Sequence, residues 1–127
     1  MSTPELTHVH YRRDARELVL TFGNQPPFTL SAEYLRVHSP SAEVRGHGKG
    51  QEVLQTGKQD VGLLNITQTG HYALKLHFDD GHDSGLYTYD YLHELATHQA
   101  DYWQQYLTRL EQAGESRQAP SIMIKQL

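Results

Sequence analysis

The chain contains no cysteine. That absence excludes disulfides, thiolate zinc sites, cysteine-ligated iron–sulfur clusters and a cysteine nucleophile, and it fits a reducing compartment. Long hydrophobic runs are missing as well. The N-terminus MSTPELTHVHY carries no apolar stretch of the kind a secretory signal needs. No run approaches the ~20 apolar residues of a membrane helix, so a cytoplasmic protein without membrane attachment is expected. A dense basic face is lacking too. Eleven Lys and Arg stand against 15 Asp and Glu, a formal charge of −4, and basic residues cluster only at Arg12, Arg13 and Arg16. Sequence-independent nucleic-acid binding needs far more positive charge on one face, so no nucleic-acid partner is expected.

What is present fits one small domain. The 127 residues are 37% hydrophobic with a mean hydropathy of −0.66, enough for one modest core. LTHVHYRRDARELVLTF alternates apolar and polar residues on both sides of RRDAR. It predicts a hairpin turning near Asp14, with Leu18, Leu20 and Phe22 on one face. GNQPP is a turn, FTLS a short returning strand, and AEYLRV a helical turn or corner. From His38 to Asp60 glycine is frequent and periodicity weak, which predicts a long loop of the length that often carries function. Val53 and Leu54 would dock it. In YALKLHF, Tyr72, Leu74, Leu76 and Phe78 predict a buried strand face; DDGHDSG is a turn and LYTY the return strand.

After Tyr91 the spacing of Leu92, Leu95, Ala96, Trp103, Tyr106, Leu107 and Leu110 predicts one amphipathic helix of about six turns. Asp90 would cap it and Gly114 lies just past its end. Residues 1–113 then form the domain and residues 114–127 a flexible C-terminal tail. The fold class is α+β: small antiparallel β-hairpins or a sheet, a long C-terminal amphipathic helix and a long Gly-rich loop. There is also an internal echo. LVLTFGNQPPFTLSAEYLR and LKLHFDDGHDSGLYTYDYLHE both run strand, turn, strand, then acid-Tyr-Leu, and they would place two Tyr-Leu pairs in one core.

No catalytic set stands out. Nine histidines are present; His8 and His10 share a strand face, where solvation is the simpler reading. HFD at His77–Asp79 has half of an iron facial triad but leads into a turn, where Asp79 and Asp80 read as solvating acids. RGHGKG breaks both glycine-rich phosphate patterns, at Gln51 and Gln59. A backbone nest with Arg45 and Lys49 could still hold an anion. Ser39 follows His38, but adjacency in sequence does not make a triad.

The stretches EYLRVHSPSAEVRGHGKGQEVLQTGKQDVGLLNI and YALKLHFDDGHDSGLYTYDYLHEL, within a likeness over about residues 6–112, resemble the gamma-butyrobetaine hydroxylase-like N-terminal domain family in its stand-alone bacterial form. The resemblance implies a small α+β unit. In hydroxylases it precedes an iron- and 2-oxoglutarate-dependent barrel; elsewhere it is fused to an ATPase that carries iron–sulfur clusters. Neither catalytic part is present, so a non-enzymatic binding or adaptor domain is expected. Its partner would be an iron–sulfur carrier ATPase or an oxygenase, and the chain a monomer or weak homodimer. The expected binding residues are Arg36, His38, Ser39, Ser41, Arg45, His47, Lys49 and Lys58. The family's zinc ligands, three cysteines and a histidine, fall at Ser39, Ser41, Val44 and His82. Only His82 survives, so no cofactor is expected. The alternative is a metal-binding protein that holds zinc or iron through His38, His47 and His82, using the 38–50 loop and the 79–85 turn.

Overall fold

A computed structural model describes residues 3–46 and 52–119. Two three-stranded antiparallel sheets share one core. The first contains β1 (Leu6–Arg12), β2 (Glu17–Phe22) and β3 (Phe28–Ser31), in that order, and runs into α1 (Ala32–Val37). A one-turn helix, α2 (Ala42–Arg45), follows. The second sheet contains β4 (Leu63–Thr69), β5 (Ala73–Phe78) and β6 (Leu86–Thr88), then α3 (Tyr89–Thr97) and α4 (Gln99–Ala113). The class is α+β, with the expected β2 and β5 faces inward: Leu18, Leu20, Phe22, Leu76 and Phe78 are almost wholly buried. Burying each such side chain stabilises the fold by about 2 kcal/mol. Among the described residues no helix is long and apolar enough to cross a membrane.

The echo corresponds to a repeated unit. Leu6 pairs with Phe22 and Leu63 with Phe78; each edge strand has an irregularity at its second residue; Glu17 pairs with Ser31 as Ala73 does with Thr88. Each unit then starts a helix in the same way. The Tyr34 N–H donates to Ser31 Oγ at 3.0 Å and the Tyr91 N–H to Thr88 Oγ1 at 3.1 Å. These are N-cap bonds that satisfy orphan helix donors. The two tyrosines lock the units together reciprocally. Tyr34 OH donates to the Leu95 carbonyl at 2.7 Å, and Tyr91 OH to the His38 carbonyl at 2.6 Å. Both acceptors lie at helix C-termini, where carbonyls lack intrahelical partners. Tyr34→Phe and Tyr91→Phe should each cost about 1–2 kcal/mol, read as a lowered urea midpoint with an unchanged slope.

Four expectations change. Thr88, not Asp90, is the N-cap of the helical region. The single C-terminal helix is two, because Thr97 Oγ1 turns back onto the His93 and Glu94 carbonyls and His98 takes φ −110°, ψ 23°. Such back-bonding bends helices. Tyr72 is 69% exposed, because it sits in the β4–β5 turn before the buried alternation starts. Residues 115–117 leave α4 tied to the body. Arg117 makes a two-pronged ion pair with the buried Glu33 at 2.7 and 2.8 Å, and the Gly57 and Gln59 N–H groups donate to the Ser116 and Arg117 carbonyls. Residues 120–127 of the expected tail lie outside the described residues, as do Gly48 and Gly50 of the expected Gly-rich loop.

Candidate functional site

The residues at the zinc-ligand positions implied by the resemblance come together. Ser39, Ser41, Val44 and His82 are all buried. Ser39 Oγ lies 2.8 Å from His82 Nε2 and accepts the Ser41 N–H at 3.2 Å. Ser41 Oγ lies 2.8 Å from Ser84 Oγ and also accepts the Glu43 N–H that opens α2. The far side of the imidazole, Nδ1, lies 3.4 Å from Glu43 Oε2. Together these bonds clamp the 39–44 segment onto the 79–85 turn. Gly85 is required there: a Cβ would come 2.5 Å from Ser39 Oγ. Burial, then the nearby Arg36 charge, push the His82 imidazole below its ordinary pKa, so the neutral ring that this clamp uses is favoured.

This donor set does not fit a zinc ion. Val44 offers no donor atom, and serine hydroxyls are poor ligands. A tetrahedral zinc between an oxygen and an imidazole nitrogen holds the two about 3.4 Å apart, whereas Ser39 and His82 are in direct hydrogen-bond contact. Nor does the serine–imidazole–carboxylate order amount to a hydrolytic centre. Ser39 is 1% exposed and its oxygen already accepts the Ser41 N–H, so an acyl carbon has no approach to it.

A second cluster supports the same turn. Asp80 Oδ2 accepts Arg36 Nε at 2.9 Å and Lys58 Nζ at 2.7 Å, while Asp80 Oδ1 accepts the His82 N–H at 3.1 Å. Arg36 Nη1 also reaches Gln55 Oε1 at 3.0 Å. Burial raises the Asp80 pKa, but Lys58, the His82 N–H and Arg36 outweigh it and hold the carboxyl at about 2. Arg36 and Lys58, expected to contact a partner, are thus engaged internally. Asp80, expected to be merely solvating, is the hub. The folded value lies below the ordinary 3.8. Ionised Asp80 therefore contributes stability that is complete above about pH 5 and lost as pH falls toward 2. Urea midpoints measured down that range should fall more steeply for the native chain than for Asp80→Asn.

Beside the clamp lies a cleft of about 580 Å³, walled by Val37, Val44, Val53, Leu54 and Tyr106, with His38, Ser39, Arg45, Tyr91 and Arg109 also on its lining. His38 Nδ1 lies 2.8 Å from the Tyr34 carbonyl, so Nδ1 carries the proton. Its ring stands 4.7 Å from Tyr34 and stacks at 6.0 Å on Tyr102. Burial pushes the His38 pKa down. Arg45 Cζ lies 4.8 Å over the Tyr91 ring. The Val53 N–H donates to the Val44 carbonyl at 2.7 Å and Tyr106 OH to the Gln55 carbonyl at 2.7 Å; these bonds hold the 52–55 segment as one wall.

The expected site residues therefore divide into two groups. Ser39, Ser41 and His82 share the clamp; His38 and Arg45 belong to the cleft. His47 and Lys49 lie outside the described residues. Among those described, no group of three His, Cys, Asp or Glu side chains is disposed to hold a metal; His38 packs among tyrosines while His82 faces Ser39 and Glu43. Sequence reasoning missed Glu43, Asp80 and Ser84. For Glu43 the only signal was its place after the S-x-S pair, where an acid suits the first turn of a helix.

A family model described as gamma-butyrobetaine hydroxylase-like, N-terminal, matches residues 9–93. Two NMR solution structures are similar over nearly the whole chain. One is 47% identical, with 99% of each chain covered and a TM-score of 0.82. The other is 48% identical, covering 99% of this chain and 94% of that one, with a TM-score of 0.79. A crystal structure of a protein of unknown function from Acidithiobacillus ferrooxidans, assigned to the DUF971 family, is 29% identical over 72% of this chain and 92% of its own, with a TM-score of 0.61. No curated protein matches. The chain belongs to the gamma-butyrobetaine hydroxylase-like N-terminal domain family.

Proposed function

We propose that the chain is a non-catalytic binding domain that recognises a protein partner through the cleft between α2, the 52–55 segment and α4. The observation that carries this reading is the cleft itself. It joins an apolar floor to two arginines, Arg45 and Arg109, the mixture of buried apolar and oriented polar groups typical of recognition sites. The clamp and the Asp80 cluster serve to hold its walls. The partner class is the one the resemblance implies, an iron–sulfur carrier ATPase or a 2-oxoglutarate oxygenase. Quantitative capture tests it. Val53 is 53% exposed, so Val53→Asp should leave the fold intact yet strip the specific partners retained by the native chain, while Gln104→Glu, an exposed change on α4, retains them. Equal retention by Val53→Asp would remove the cleft from the reading. No 2-oxoglutarate turnover is expected with added iron.

A further inference from the structure

We propose that Glu33 and Trp103 form a receptor for an arginine of a partner polypeptide, and that the chain's own Arg117 occupies it until displaced. The site shares no lining residue with the cleft and stands independently of it.

The receptor is built for a guanidinium. Glu33 of α1 is 5% exposed, and a buried carboxylate left without a cation is costly. Both of its oxygens are taken by one fork: Arg117 Nε donates to Oε2 at 2.8 Å and Nη2 to Oε1 at 2.7 Å. The same guanidinium lies over Trp103, with Cζ 5.1 Å from the ring centre. Tyr34 and Tyr106 pack against that ring and fix its plane. A two-pronged carboxylate and an aromatic face select arginine over lysine.

The occupant is lightly held. Arg117 lies beyond the left-handed Gly114 that ends α4, and it is the one residue of the 115–119 strap that is not exposed. Its side chain apart, the strap is tied to the body by two main-chain bonds, in which the Gly57 and Gln59 N–H groups donate to the Ser116 and Arg117 carbonyls at 3.0 Å. A segment without buried apolar anchors opens locally at low cost. An extended partner segment can repeat all of these contacts, with its arginine on Glu33 and its carbonyls on Gly57 and Gln59. The matched family unit, residues 9–93, contains Glu33 and ends before Arg117, so the cation comes from outside the unit whose carboxylate needs it.

Space and charge agree. A cavity of about 320 Å³ beside the pair reaches Glu33 and Arg117, with Arg16 and Asp60 on its lining. With Arg117 in place, two acids face two arginines. Without it, the lining is left with an excess of one negative charge, which an incoming arginine restores.

Acetyl-arginine amide carries the fork and both carbonyls, and acetyl-lysine amide is its control. Titrated into the full chain by ¹⁵N–¹H NMR, the arginine compound should shift the indole N–H of Trp103, the only tryptophan, together with the Gly57 and Gln59 amides, saturably. The lysine compound should bind about fivefold more weakly. Arg117→Ala empties the receptor and should tighten arginine binding about tenfold, and adding Glu33→Gln to it should abolish binding. The native-chain titration needs no variant and decides the matter if Arg117→Ala does not fold. The inference is overturned if the native chain and a folded Arg117→Ala both give no saturable shift, if the native chain gives none and the variant does not fold, if the two compounds bind alike, or if the shifts map away from Trp103, Gly57 and Gln59.

Discussion

Replacing Ser39, Ser41 and Val44 together by cysteine is expected to turn the clamp into a tight zinc site completed by His82. Three of these four residues already meet through hydrogen bonds: Ser39 touches His82, and Ser41 touches both Ser39 and Ser84. Val44, one turn of α2 further on, is buried beside them. A tetrahedral zinc separates a sulfur from an imidazole nitrogen by about 3.6 Å, so the 39–44 segment must move outward by under an ångström. That movement is small beside the gain: structural zinc in small domains contributes on the order of 10 kcal/mol at neutral pH. The variant should take up one equivalent of zinc, survive competition with a colorimetric chelator, and lose both properties when His82→Gln is added. A folded variant that takes up no zinc would mean that the four positions are not a common site.

Asp80→Asn is expected to destabilise the chain by about 3 kcal/mol, whereas Asp79→Asn next to it should change stability by less than about 0.5 kcal/mol. Arg36 is 7% exposed and its guanidinium donates to Asp80. Without the carboxylate a buried cation loses its charge partner while keeping only the Gln55 amide, and such orphaned charges are costly. Lys58 loses its partner too, but its release is cheaper because ammonium groups near solvent rehydrate. Asp79 Oδ atoms make no bond of this kind among the described residues. Urea unfolding of the two variants decides the point; equal midpoints would show that the cluster is not structural.

The two aspartates also show what was legible in the sequence. Both sit in DDGHDSG, and local pattern reads them alike. What distinguishes them is contact with Arg36 and Lys58, which lie 44 and 22 residues away. Alternation, by contrast, is local: the apolar faces of β2 and β5 follow from every second residue being apolar, and both faces are buried. The repeat was readable because it preserves spacing between strand, cap and tyrosine. The helix break was not. Thr97 and His98 fit the helical period in sequence, and only the side-chain bonds back to His93 and Glu94 reveal the bend.

The site was legible in part. The resemblance placed Ser39, Ser41, Val44 and His82 at related positions, and three of them do share a clamp. Arg36 and Lys58 read as partner-binding residues because the local pattern gives no hint of the distant acid that engages them. The cleft was only half visible: the 38–60 loop pointed to one wall, but Tyr91, Tyr106 and Arg109 come from elements that sequence alone reads as core and helix surface.

We propose that hydrogen bonds from serine, rather than a metal, close the 39–44 segment onto the 79–85 turn. The most direct test measures metal content and thermal unfolding on one sample of untagged chain, before and after exhaustive EDTA treatment. Zinc and iron well below one equivalent, and the same melting midpoint in both states, are expected. One equivalent of either metal, with a lower midpoint once it is removed, would contradict it.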